Sequence, residues 1–240
     1  MSISVKLDRF DHHKFIKKEE LINCIKNQTN YNKASSIRWV MHQLVKDGKI
    51  TKINNNYFYH GCLNEYKPTR NSEIKHKIQR IIKEKYPSLE VVIFESTILN
   101  EWLNHQVSKN IIFVQIEKMY SDHIFELLKD EMDHSILYNP SVEDFYLYSK
   151  DNLIIVSNMV SRSPRKNNSY DIKLEKLVVD ILSDDLVTEF ISQSEIPSLL
   201  KEIFSQYKIN PKTIMAYAKR RNLDSIVLKY IHDYLPRKED

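Results

Sequence analysis

Glycine is almost missing from this chain: two residues, Gly48 and Gly61, in 240. A Walker loop, a dinucleotide-binding turn, a nucleophile elbow and a kinase glycine loop all need glycines where the backbone must bend sharply or approach a ligand. From residue 62 to the end none of these can be built. Cysteine is equally scarce, with Cys24 and Cys62 as the full complement, so no disulfide framework or four-cysteine zinc site is expected. The start, MSISVKLDRF, has no apolar leader segment, and no run of about 18 apolar residues occurs. These absences predict a reduced, cytoplasmic protein with no membrane segment. Asp-x-Asp, which nucleotidyl transfer would use to hold a divalent ion, is also missing. No enzymatic activity, cofactor or metal is therefore expected.

What the chain does have is an uneven charge. The formal net charge is +4. Residues 1–66 hold 11 Lys/Arg against 6 Asp/Glu, whereas the remainder holds 25 against 26. The basic excess is thus confined to the amino-terminal quarter, where a polyanionic partner would need it.

That quarter contains the most informative stretch, Lys33–Gly61. Ile37, Val40, Met41, Leu44 and Val45 recur at helical spacing and predict one core-facing stripe. The opposite face carries Lys33, Ser35, Ser36, Arg38, Trp39, His42 and Lys46. Gly48 ends the helix, and Ile50, Ile53 and Phe58 then alternate around Asn54-Asn55-Asn56, a turn sequence for a β-hairpin. A preceding helix over 16–27 and a polar link through Asn32, a candidate N-cap, complete the order of a winged helix-turn-helix. Lys33, Ser35, Ser36, Arg38 and His42 are expected to face the major groove of DNA. Lys49, Lys52, Asn54 and Asn55 are expected to touch backbone or minor groove. Trp39 suits either a groove wall or packing between domains. Cys24, His42, His60 and Cys62 do not form a convincing ligand set, because Cys24 sits among Leu21, Ile22 and Ile25 and reads as a buried hydrophobe. His12-His13 has no second ligand pair at a useful spacing.

A polar segment, Asn64–Arg70, separates this unit, residues 1–66, from a second domain, residues 67–240. Here helices and strands alternate: helix 72–86, strand 91–94, helix 97–103, strand 111–116, helix 121–132, strand 136–138, helix 141–148 and strand 153–156. This order predicts an α/β layer with a mixed sheet. After a basic loop, Ser161–Ser169, five helices are expected: 171–182, 185–192, 194–207, 210–221 and 223–234. The fold class expected is α+β / α/β, with a winged helix, an α/β domain and a C-terminal helical bundle.

Two further cation groups stand out, Arg162, Arg165 and Lys166 on the loop and Lys219, Arg220 and Arg221 near a helix end. They could extend a DNA path, meet an acidic partner, or simply be solvated and complement the helix dipole. Glu95-Ser96 ends a strand where α/β folds place ligands, but the plainer expectation is a capping serine and a solvated glutamate. Glu175 and Asp180 are five residues apart, ~140° around a helix, and cannot act as one acid–base couple.

The assembled pattern resembles the AbiEi-type antitoxins of bacterial type IV toxin–antitoxin (abortive infection) systems. The residues carrying the resemblance are GKITKINNNYFY, VIFESTILNEWLNHQVSKNIIFVQIEK (92–118), LEKLVVDILSD (174–184) and YKINPKTIMAYAKRRN (207–222). The resemblance implies an N-terminal domain that binds operator DNA and represses its own operon. It also implies a C-terminal region that opposes a nucleotidyltransferase-like toxin, without requiring a stable complex with it. Two rivals remain: a winged helix that binds protein, and a degenerate nucleotide-binding enzyme centred near Glu95.

Overall fold

The computed structural model describes residues 5–11, 15–53, 55–61, 63–68 and 72–234. His12-His13, Asn54, Cys62 and the final PRKED lie outside the described residues. The fold is mixed α+β with two sheets, and the chain divides into two compact units. The first holds Met1–Glu65 together with Phe204–Asn210 and Lys229–Asp240; the second holds Tyr66–Ile203 and Pro211–Leu228.

The first unit opens with strand β1 (Phe15–Lys17), helix α1 (Lys18–Gln28) and helix α2 (Ala34–Lys46). Strands β2 (Ile50–Lys52) and β3 (Tyr57–His60) follow, and the three strands form an antiparallel sheet in the order β1-β3-β2. β3, in the middle, is buried throughout. The two helices close over the sheet through Leu21, Cys24, Ile25, Ile37, Val40, Leu44, Ile50 and Phe58, one apolar cluster. Each large aliphatic removed from water here contributes on the order of 1.5–3 kcal/mol. β1 is an element that periodicity did not indicate. Helix α2 is capped by the Lys33 backbone rather than by the Asn32 side chain, and no side chain bonds its amino end.

Gly48 ends α2 at φ +68°. Its amide bonds the Val45 carbonyl at 3.1 Å while the Lys49 amide bonds Leu44 at 3.0 Å, the paired closure of a Schellman motif. A Cβ placed on Gly48 would meet nothing within 4 Å, so only backbone conformation resists a side chain there. Gly48→Ala is expected to destabilise this unit by roughly 1–2 kcal/mol, and Gly48→Asn by less. Urea denaturation of the three proteins checks the order; equal stability of the alanine variant would show that the left-handed conformation is not required.

The second unit begins with α3 (Glu73–Lys85), whose N-cap Ser72 accepts from the Lys75 amide. Strand β4 (Val91–Glu95), a 3₁₀ helix (Ser96–Glu101), β5 (Ile111–Ile116), α4 (Lys118–Glu131), β6 (Ile136–Tyr138), α5 (Val142–Tyr148) and β7 (Leu153–Asn158) follow. The sheet order is β4-β5-β7-β6: β4 runs antiparallel to β5, while β5, β7 and β6 are parallel. Strands β4 and β5 are buried along their whole length and β7 over its first four residues, which is why their sequences read as unbroken apolar runs. Ile78 and Ile82 of α3 and Ile124 and Leu128 of α4 share one cluster with Ile93, Ile112, Val114, Ile154 and Val156. Among the alternate residues, Phe94 stacks on Phe113 (4.7 Å between ring centres), and Phe113 meets Phe190 edge-on. Ser141 and Asp144 form a complete capping box on α5.

Helices α6 (Leu174–Ile181), α7 (Asp185–Thr188), α8 (Ile196–Gln206), α9 (Pro211–Arg220) and α10 (Asp224–Tyr234) complete the chain. Pro211 occupies the first position of α9, where its missing N–H costs nothing. Helix α6 starts three residues later than its periodicity suggests. Tyr170 accepts from the Ile93 amide (2.6 Å), Asp171 bridges Ile93, and Ile172 bridges Arg165, so this segment covers the open edge of β4 instead. Lys75, 1% exposed, pairs with Asp171 at 2.7 Å and fixes the same edge to α3. Burial pushes the Asp171 carboxyl up, but the Lys75 bond and charge outweigh it and hold it below its ordinary value.

Segment 204–210 belongs to the first unit through backbone bonds. Asn64 donates to Gln206 O at 2.9 Å, and Lys208 donates to Asn64 O at 2.9 Å.

Candidate nucleic-acid interface

On α2, successive residues are rotated by about 100°, so Ser35, Arg38, Trp39, His42 and Lys46 fall within an arc of about 100°. Ile37, Val40, Met41 and Leu44 occupy the opposite side. Burial follows this division: the four apolar residues are buried, and Ser35, Arg38, Trp39, His42 and Lys46 are exposed. Val45 lies at the margin of the two arcs. It is 38% exposed rather than in the core, a correction to the sequence expectation. Ser36 is half-buried and Lys33 is exposed at the amino end.

The face is cationic. Between Lys33 and Asn56 stand Lys33, Arg38, Lys46, Lys49 and Lys52 against Asp47 alone. None of these five cations makes an ion pair among the described residues. Lys49, Lys52, Asn55 and Asn56 are exposed along the β2–β3 hairpin, which is closed by Ile53 N donating to Tyr57 O at 3.1 Å. With no carboxylate in its first turn and no capping side chain, the amino end of α2 presents partial positive charge beside Lys33. Trp39, 46% exposed, adds an aromatic surface in the middle of the cations. Such a face can hold phosphates by charge and reach base edges with Arg38.

The other candidate cations are placed differently. Arg165 is clasped by Glu90 and lies 3.6 Å from Glu117. The Lys166 ammonium is 3.4 Å from the Tyr66 carbonyl and sits over the Tyr66 ring. Arg221 donates to Ser183 through Nε (2.8 Å) and Nη2 (2.6 Å, to the carbonyl). Arg220 bonds the Ser161 hydroxyl, which sets exposed Arg162 close to exposed Lys219 and Arg220. Four of the six cations, Arg165, Lys166, Arg220 and Arg221, are thus bonded within the protein, while Arg162 and Lys219 are exposed.

Glu95 is not solvated, contrary to expectation. It is 2% exposed, and its two oxygens accept from the Ser72 amide (3.0 Å) and the Asn110 side chain (2.7 Å). Ser96 caps no helix; its hydroxyl donates to Lys109 O and accepts from the Ile111 amide. Both residues brace β4 to its neighbours. Cys24 is buried, with Sγ 3.7 Å from Lys6 O, and His60 is buried with Nδ1 3.0 Å from Phe10 O. His42 stands apart from both, exposed on α2.

The family model of DUF6577, described as a family of unknown function, matches residues 36–237. The chain belongs to the DUF6577 family. The match begins within α2, after Lys33 and Ser35, and takes in the β2–β3 hairpin and the whole second unit. No curated protein matches the chain.

One group escaped sequence reasoning. Lys176 and Asp180, each 1% exposed, pair one helical turn apart on α6 and meet Tyr217 of α9. Their i, i+4 spacing within the largely apolar LEKLVVDI was the available signal.

Proposed function

We propose that the chain is a DNA-binding antitoxin of the AbiEi type, which represses its own operon and opposes a nucleotidyltransferase-like toxin. On this reading the first unit is a winged helix-turn-helix: α2 is the recognition helix and the β2–β3 hairpin is the wing. The chain acts in the cytoplasm, on double-stranded operator DNA, and catalyses no reaction. The observation that carries the reading is the divided surface of α2. Its apolar side is consumed in the core, while Ser35, Arg38, Trp39 and His42 are held outward on a rigid helix without protein partners among the described residues. Ser35, Ser36, Arg38 and His42 reach the major groove; Lys33 meets phosphate at the helix start. Lys49, Lys52 and Asn55, with Asn54 beside it, follow the backbone or minor groove.

The antitoxin half of the reading rests on the resemblance of segments 92–118, 174–184 and 207–222, not on a site geometry. Arg162, Lys219 and Arg220, exposed on the second unit, are a second candidate for phosphate contact. The test is a gel shift with the DNA upstream of the chain's own reading frame, at several salt concentrations. Binding whose logarithm falls linearly with log salt is expected, together with preference over unrelated DNA. Absence of salt-dependent binding would transfer the α2 face, with exposed Trp39, to a protein partner.

A further inference from the structure

The second unit contains a cleft of about 810 Å³. One wall is the turn Pro87–Val91 between α3 and β4; the other is the loop 163–170 after β7. Val91 lies beside Ile116, the last residue of β5, and Asn158 pairs with Ile116 from the other side. The cleft therefore opens at the carboxyl end of the parallel strands, where open α/β sheets bind ligands. Its size falls in the ordinary range for small-molecule sites, roughly 300–1,000 Å³.

The loop is preorganised rather than draped. The Arg165–Ile172 bridge closes it, the Tyr170–Ile93 bond ties it to β4, and Ser169 bonds the Asp171 carboxylate that Lys75 holds. Asn168 adopts φ +55°.

The lining is cationic and amphipathic. Lys83, Arg165 and Lys166 face it with one carboxylate, Glu90. That carboxylate is already satisfied by Arg165, which serves as a strut between Glu90 and Glu117. Lys83 is exposed and makes no ion pair among the described residues. Pro87, Leu89, Val91 and Tyr170 supply apolar surface, and Ser88, Asn167 and Asn168 supply hydrogen-bonding groups.

We propose that this cleft binds a nucleoside phosphate. Lys83 and Lys166 hold the phosphate as point charges, and the apolar wall of Leu89 and Tyr170 receives the nucleoside. Burial holds the Lys166 ammonium below its ordinary value, with Lys75 and Lys173 adding to that effect against Asp171 and Glu175. A bound phosphate would favour the charged form that burial disfavours. Such a site gives the second unit a ligand of its own.

The test is isothermal titration of the full chain at fixed ionic strength with AMP, ATP, adenosine and pyrophosphate. AMP or ATP should bind one to one, with adenosine and pyrophosphate each at least about tenfold weaker, the scale of one lost charge-assisted bond. Lys83→Met, at an exposed position that leaves the fold intact, and Lys166→Met should each weaken nucleotide binding about tenfold or more, while Arg38→Ala should leave it unchanged. No nucleotide binding would overturn the proposal. So would affinity unaltered by Lys83→Met, or adenosine or pyrophosphate binding as tightly as the nucleotide. Loss of binding in Arg38→Ala would move the contact to α2 and overturn it equally.

Discussion

Replacing Arg38 by alanine should lower operator affinity by about tenfold to a hundredfold, the usual range for an arginine that contacts a base or phosphate. The expectation follows from where Arg38 stands. It projects from the exposed arc of α2, one turn before His42 and beside Trp39, and makes no ion pair among the described residues. Its removal therefore costs the folded protein little, and a change in binding reports on DNA rather than on stability. The salt dependence separates two roles. If the guanidinium contacts phosphate, the slope of log affinity against log salt should flatten by about one and all sequences should suffer alike. If it reads a base edge, the slope should persist and the loss should fall on the operator. Identical affinity to the unsubstituted protein across several salt concentrations would remove Arg38, and with it the recognition-helix assignment of α2.

The largest effect on stability is expected inside α6. Asp180→Ala should destabilise the second unit by about 3–5 kcal/mol, because it removes the carboxylate that the buried Lys176 ammonium touches. Lys176 and Asp180 are both 1% exposed and in direct contact. The Tyr217 hydroxyl donates to Asp180 Oδ1 at 2.8 Å and lies 3.3 Å from Lys176 Nζ. Burial, and then the Asp180 charge, push the Tyr217 hydroxyl far above its ordinary value, so it remains a donor. Removing both charges while keeping an acceptor for Tyr217, as in Lys176→Met with Asp180→Asn, should recover most of the loss. Urea denaturation of the three proteins decides the matter. A cost below about 1 kcal/mol for Asp180→Ala would mean that water or another group reaches Lys176.

These two sites differ in how far they could be foreseen. The α2 face was legible because a helix with a 3.6-residue period sorts its own residues: the apolar set defines the core side, and the rest must face outward. β5 and β6 were legible to the residue because apolar runs bounded by polar turns leave little choice. By contrast, β1 is three residues long and runs straight into α1, so no period can form. The late start of α6 depends on Asp171 and Ile172 being taken by the edge of β4, a contact across some 80 residues of chain. The fate of Arg165 depends on Glu90 and Glu117 in the same way. Local sequence carries no record of such captures. The solvated reading of Glu95 failed for a related reason: its partners, the Ser72 amide and Asn110, come from elements on either side of it. Phe204–Asn210 meets the first unit through backbone bonds to Asn64 and through the Tyr59 hydroxyl, which donates to the Ser205 carbonyl, long-range contacts that local sequence does not record.

The strand order β4-β5-β7-β6 has a consequence for how the protein comes into being. Strand β6 is synthesised before β7 but has no neighbour in the sheet until β7 slots between it and β5. A ribosome that has delivered residues up to Tyr148 has therefore exposed a β4–β5 ribbon with one raw parallel edge at β5 and a short orphan strand beyond it. The β5 edge and β6 gain their shared partner only when Leu153–Asn158 emerges, and the β4 edge stays open until Tyr170 and Asp171 follow. The nascent chain is thus most open to mispairing midway through translation, and a stall there would leave sticky β5 uncovered.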